Sequence, residues 1–238
     1  DGENQGFFAK GSDPQWFPDG KRVSFIKKDG NGVRQIFKKH ISHQNVSQIS
    51  NHEVDIGHFS ISPDGKLIVF AALNEYEDSW TVEIPGKKEG KQYNWTKEPT
   101  VINTLHWRYD GKGELKNGEH HLYLVSSNGG AAQKISDWGL DYVSDLSWID
   151  ESQVLFTGNN ELDDMRTPWK QTSIFSLDLN SRVIETISPK NGVYTKPVVS
   201  PDSQKIAFLG TESRDYSSIA FDLWMHSNNS ARKLTKDL

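Results

Sequence analysis

Phe59-Ser60-Ile61-Ser62-Pro63-Asp64-Gly65-Lys66-Leu67-Ile68-Val69-Phe70 is the stretch on which the reading of the chain turns. An alternating segment runs into Pro-Asp-Gly, and a β-branched and aromatic run leaves it. Pro63 presets its own φ, Asp and Gly are favoured turn residues, and Gly accepts positive φ without a steric penalty. The run 67–70 has the composition of a buried strand, so the whole predicts a β-hairpin.

The unit returns. Trp16-Phe17-Pro18-Asp19-Gly20 leads into Val23-Ser24-Phe25, and Ser200-Pro201-Asp202-Ser203 leads into Lys205-Ile206-Ala207-Phe208. Weaker copies stand at Trp107-Arg108-Tyr109-Asp110-Gly111 and Trp148-Ile149-Asp150-Glu151-Ser152. The marker aspartates Asp19, Asp64, Asp110, Asp150 and Asp202 are spaced by 45, 46, 40 and 52 residues. Repeats of that length built from short strands predict the blades of a β-propeller. The expected fold is therefore all-β, with four-stranded antiparallel blades at about 1–52, 53–98, 99–137, 138–189 and 190–238. Five blades are expected in this chain, as part of a larger seven- or eight-bladed ring.

Composition narrows the function. Charged residues are 25% of the chain and the formal net charge is −5, without the basic stripe that nucleic acid requires. The absence of cysteine removes disulfides, cysteine-based zinc sites and a cysteine nucleophile. No apolar run approaches eighteen residues, so no membrane-crossing helix is expected. No metal site and no cofactor are expected either. There is no His-Glu-x-x-His, no Gly-x-Gly-x-x-Gly and no phosphate loop. The triplets at Asn45, Asn94 and Asn228 are formal glycosylation acceptors.

The second and third strands of the last two repeats are joined by long polar insertions, which should emerge on one face of the disc. These carry the candidate binding residues Asp163, Asp164, Arg166 and Trp169, with Arg214, Asp215 and Tyr216 on the neighbouring blade. Carboxylates suit a peptide's ammonium end, and a guanidinium suits its carboxylate. Against that stands the simpler reading of solvated charges, because surface ion pairs contribute only about 0–1 kcal/mol. Trp16, Trp107 and Trp148 recur at one blade position and are expected to pack between sheets, as is Trp224. His120 and His121 are neighbours on a strand, so they face opposite ways and cannot line one site. No Gly-x-Ser-x-Gly elbow occurs, so no residue of the chain is expected to be catalytic.

Ser62-Pro63-Asp64-Gly65-Lys66 with Ile68 and Phe70, and Ser200-Pro201-Asp202-Ser203 with 205–208, resemble the WD40-like "PD40" repeat of TolB-type propellers. Trp107-Arg108-Tyr109-Asp110-Gly111-Lys112-Gly113-Glu114-Leu115 followed by His120-His121-Leu122-Tyr123-Leu124-Val125 resembles the odd blade of one branch of the prolyl oligopeptidase (S9) family. That is the acylaminoacyl-peptidase-like and dipeptidyl-peptidase-like branch. Two departures are visible: Leu115 replaces an aromatic, and Asn117-Gly118-Glu119 lacks arginine. The resemblance implies an N-terminal propeller that orients peptides for an α/β-hydrolase domain with a Ser-Asp-His triad, a domain absent from these residues.

Three functions follow as alternatives. The first is the non-catalytic propeller portion of a serine exopeptidase or oligopeptidase, partnered by its own hydrolase domain and a peptide substrate. The second is a stand-alone TolB-like module that binds a protein or peptide. The third is a carbohydrate-active propeller, which needs converging carboxylates where the inner strands supply Asp145 and little else acidic. A periplasmic or secreted location is expected from family habit and from the start at Asp1, which reads as the interior of a longer product. A cytoplasmic location and homo-oligomerisation stay open.

Overall fold

The computed structural model describes residues 6–76, 108–111, 113–114, 116, 118–137, 139–140, 142–159, 171–212 and 220–235. Every regular element among them is a β-strand. The first sheet holds β1 (Ser12–Trp16), β2 (Arg22–Lys28), β3 (Arg34–His40) and β4 (Val46–Gln48) in chain order. β5 (Ile56–Ile61) and β6 (Leu67–Glu75) open the second sheet. After them come β7 (Arg108–Tyr109) and β8 (Gly113–Glu114), a hairpin of their own. β9 (Gly118–Ser126) and β10 (Gln133–Lys134) then complete the second sheet, in the order β10-β9-β6-β5. The third sheet is β11 (Tyr142–Trp148), β12 (Gln153–Asn159), β13 (Ser173–Asp178) and β14 (Ile184–Thr186). The fourth is β15 (Val193–Val199), β16 (Ile206–Thr211), β17 (Asp222–Ser227) and β18 (Ser230–Lys233).

The turn chemistry builds each inner hairpin. Gly20 N donates to Phe17 O at 3.0 Å, Gly65 N to Ser62 O at 2.8 Å and Ser203 N to Ser200 O at 2.8 Å. The residue after each aspartate takes positive φ: 63° at Gly20, 72° at Gly65 and 58° at Ser203. Each aspartate side chain then accepts the amide two residues on, from Lys21 (2.9 Å), Lys66 (3.0 Å) and Gln204 (3.0 Å). Asp150 does the same with Ser152 and Gln153. These are Asx turns, which hold the hairpin from the side chain. Amide donation to the ionised form lowers the Asp19, Asp64 and Asp202 carboxyls, Asp64 to about 2. For Asp202 the Ser200 hydroxyl contributes most.

Because side chains alternate across a strand, each central strand serves two seams. On β6, Ile68, Phe70 and Ala72 join Phe17, Ile26, Ile36 and Ile49 of the first sheet, while Val69 and Ala71 join Trp148, Val154, Phe156 and Phe175 of the third. The third and fourth sheets meet through Leu155 and Ile174 on one side and Tyr194, Ile206, Phe208 and Trp224 on the other. β5 lies beside both β1 and β11, and β15 lies beside β11, so the first strands of successive sheets are neighbours. Sheets stacked face to face, with first strands innermost, are propeller blades. Burying one such aromatic side chain contributes roughly 1.5–3 kcal/mol, and every seam repeats the gain.

Two expectations change. The described residues hold four four-stranded sheets, and the described strands of segment 99–137 form no blade of their own. Its strand 118–126 and its short strand 133–134 finish the sheet that 56–75 began. Leu122 and Tyr123 are buried on opposite faces, which suits a central strand flanked by two sheets. Asp110 does sit in a turn, but it belongs to the β7–β8 hairpin, within a separate compact unit, Glu75–Gly118. Lys116 and Glu75 form an ion pair of 2.5 Å inside that unit. Trp107 lies outside the described residues.

The second change concerns Trp16. Trp148 and Trp224 are buried as expected, but Trp16 is 63% exposed. Trp16 pairs with Val23 as Trp148 pairs with Val154, so the two positions are equivalent. Trp148 faces the preceding sheet and donates its indole N–H to Ser60 O at 3.2 Å. The first sheet has no preceding sheet among the described residues. Residues 8–11 cover part of that face instead: Lys39 Nζ donates to Phe8 O and lies 4.5 Å from the Phe8 ring centroid.

Candidate functional site

The two polar insertions are rooted on adjacent sheets, the third and the fourth. The first joins β12 to β13, whose ends pair Gly158 with Ser173; the second joins β16 to β17, whose ends pair Gly210 with Asp222. Both flank the junction of the third and fourth sheets, at the same end of the strands. Asp163, Asp164, Arg166 and Trp169, like Arg214, Asp215 and Tyr216, lie outside the described residues. What the structure defines is the ground from which they rise.

That ground is built from polar groups. Thr172 and Val193 form a parallel bridge between the sheets, Tyr194 N donates to Thr172 O at 2.9 Å, and Thr172 Oγ1 donates to Tyr194 O at 2.8 Å. Nearer the middle of β11, Asp145 adopts φ 50° at a bulge. Its Oδ2 accepts from Thr157 Oγ1 (2.9 Å), Thr195 Oγ1 (2.9 Å), Lys196 N (3.1 Å) and Ser144 Oγ (3.3 Å). Burial by itself raises the Asp145 carboxyl; the Lys196 amide and the three hydroxyls outweigh it and hold the group below the usual carboxylate range. Tyr194 is wholly buried, and burial together with the Glu212 charge pushes its phenol up to about 12. Asp222, at the foot of the second insertion, accepts from Thr235 Oγ1 (3.0 Å) and pairs with Lys233 at 2.6 Å. The insertions thus leave from strand ends pinned on both sides. Such ends can carry a binding loop without losing their own register.

One constellation looks catalytic and is structural. His121 Nδ1 lies 3.2 Å from Ser136 Oγ, and His121 Nε2 lies 3.6 Å from Glu119 Oε2. Burial and the neighbouring Lys134 hold the imidazole below its ordinary pKa. Ser136 is itself buried, and its Oγ accepts the amide of Leu122 at 3.0 Å. The same clasp recurs in every sheet. Ser50 Oγ accepts from Ile36 N (2.8 Å), Ser188 Oγ from Ile174 N (3.1 Å) and Thr235 Oγ1 from Leu223 N (3.0 Å). Ser50 donates onward to Gln35 Oε1 at 2.6 Å and Thr235 to Asp222 Oδ1, so His121 stands where Gln35 and Asp222 stand. Four copies of one geometry, three of them with a different onward partner, describe a blade fastener. The signal was available as Ile49-Ser50, Ile135-Ser136, Ile187-Ser188 and Leu234-Thr235. Among the described residues, no group of three or more His, Asp or Glu is arranged to hold a metal ion. No described helix is long and apolar enough to cross a membrane.

Comparison with known proteins follows the fold. A TolB-type structure from Agrobacterium tumefaciens superimposes with a TM-score of 0.59 over 95% of this chain and 62% of that one, at 16% identity. The acylaminoacyl peptidase of Pyrococcus horikoshii gives a TM-score of 0.62 over 93% of this chain and 31% of that one, at 12% identity. The fold is the β-propeller of TolB and of S9-family peptidases. In sequence, the propeller chain is 25% identical over 161 residues to uncharacterized peptidase YuxL of Bacillus subtilis (strain 168), which covers 67% of the chain. The chain spans 23% of the length of that relative. No family model matches it.

Proposed function

We propose that this propeller is the non-catalytic portion of a serine exopeptidase or oligopeptidase, selecting and orienting peptides for a Ser-Asp-His hydrolase domain. The observation that carries the reading is the coincidence of a peptidase-type propeller fold with sequence similarity to a protein named as a peptidase. The propeller contributes size exclusion and recognition of a peptide end. Asp163, Asp164, Arg166, Trp169, Arg214, Asp215 and Tyr216 supply the contacts, from loops rooted on either side of one seam. In the partner domain a serine attacks the peptide carbonyl, histidine takes its proton, and aspartate orients the histidine. The open face of the fourth sheet fits a longer ring: Val198 and Leu223 are 64% and 38% exposed there, on the side where the other sheets are covered by a successor. A periplasmic or secreted location belongs to the same proposal.

A fluorophosphonate probe tests it. The 238-residue chain should neither be labelled nor hydrolyse peptide p-nitroanilides, and its full gene product should do both. Hydrolysis by the chain alone would overturn the division of labour. A full product with no reactive serine would favour the second reading, a TolB-like binding module, which the TolB likeness supports equally well in fold.

A further inference from the structure

The three seams differ in chemistry. The second sheet offers the third a face dominated by buried aliphatic side chains, Val69, Ala71, Leu122, Ile135 and Leu140, with Ser60 and His58 beside them on β5. The third sheet offers the fourth something else. Cross-strand partners share a face, and Leu155 pairs with Ser147 and Ser176, while Thr157 pairs with Ser144 and Ile174. Around the two aliphatic side chains Leu155 and Ile174, that face therefore carries Ser144, Ser147, Thr157 and Ser176, with Thr172 at its end.

Two of the buried polar atoms without a hydrogen-bond partner among the described residues belong here: Ser147 Oγ and Tyr194 OH, on facing sheets. A buried hydroxyl left unpaired costs about 1–3 kcal/mol, whereas an aliphatic seam has no such term. Beside the packing of Leu155 and Ile174 against Tyr194, Phe208 and Trp224, hydrogen bonds span the seam: Thr172 with Tyr194, Asp145 with Thr195 and Lys196, and Ser203 Oγ to Ile149 O at 2.8 Å. Water can replace each of these bonds when the sheets part, which it cannot do for Phe70 against Ile26.

We propose that the seam between the third and fourth sheets is a hydrated joint that opens in the native protein ahead of the other two, giving peptides a lateral way to the inner strands. The opening stands on the seam chemistry alone; its use by peptides rests on the function proposed above.

Hydrogen exchange on the 238-residue chain tests the opening without any peptidase assay. The amides of β15, an innermost strand, should exchange at least about tenfold faster than those of the innermost strands β5 and β11, a tenfold ratio being 1.4 kcal/mol. Removing the two unpaired hydroxyls, with Ser147→Ala and Tyr194→Phe, should slow β15 exchange by about tenfold and leave β5 unchanged. The chain has no cysteine, so Thr172→Cys with Val193→Cys gives a clean disulfide across the seam. Oxidation should slow β15 to the rate of β11, and reduction should restore it. Fraying of the last sheet by itself would persist in the oxidised form. Equal rates in the three innermost strands, or a β15 rate insensitive to both the hydroxyl removal and the disulfide, would overturn the joint. If the joint holds while the oxidised full product cleaves long peptides unimpaired, only the lateral route falls.

Discussion

Ser136→Ala separates a blade fastener from a vestigial catalytic serine. Ser136 Oγ takes the amide of Leu122 at 3.0 Å, and both residues are buried. Alanine leaves that N–H with no acceptor, in a strand packed on both faces. An unsatisfied buried donor costs about 1–3 kcal/mol, with little offset from the lost hydroxyl. For a chain of this size, that corresponds to a fall in melting temperature of roughly 2–12 °C. Ser50→Ala and Ser188→Ala occupy the same geometry in other sheets and should cost the same within their scatter. Ser230→Ala, whose exposed hydroxyl only reaches Ser227 O at 3.3 Å, should change stability by less than about 0.5 kcal/mol. Urea unfolding followed by tryptophan fluorescence measures all four. If Ser136→Ala left the midpoint unchanged while the other two lowered it, the equivalence of the clasps would be wrong. His121 and Ser136 would then need another role.

Three further outcomes are expected. Asp145→Asn should flatten the acid limb of stability: the folded carboxyl is held low, so its contribution is full above the unfolded pKa of about 3.9 and lost as pH falls through the folded value. Unfolding midpoints between pH 6 and 3 will read this as a shallower slope in the variant, and an unchanged slope would count against the Asp145 node. Asp64→Asn should likewise flatten the acid limb, its contribution being full above the unfolded pKa of about 3.9 and lost as pH falls to about 2; an unchanged slope below pH 4 would count against the Asx turn as its source. Gly210→Ala would drive a methyl group into the Tyr194 ring and should cost about 1–3 kcal/mol; adding Tyr194→Val should recover part of it, and a strictly additive double-mutant cycle would refute the contact.

Much of this fold was legible because its signals are local. A Pro-Asp-Gly turn is a matter of four residues and their dihedrals, so the inner hairpins at Asp19, Asp64 and Asp202 could be read from their letters alone. The β-branched and aromatic run 67–70 likewise marked a buried strand. Asp110 misled for the same reason: its turn is genuine, yet no local rule says which sheet a hairpin joins. The fasteners went unread because an Ile-Ser pair carries no meaning until its partner strand, thirteen or fourteen residues away, is laid beside it.

The chain's letters therefore determined the inner hairpins and the placing of two polar insertions between second and third strands. Tertiary structure alone decided that 118–134 completes the sheet begun at 56, that Trp16 faces outward while Trp148 is enclosed, and that Asp145 ties two sheets together. The physical reason is range. Dihedral preference and side-chain alternation act over a few residues, whereas strand pairing, burial and a shared carboxylate depend on which distant segment arrives alongside.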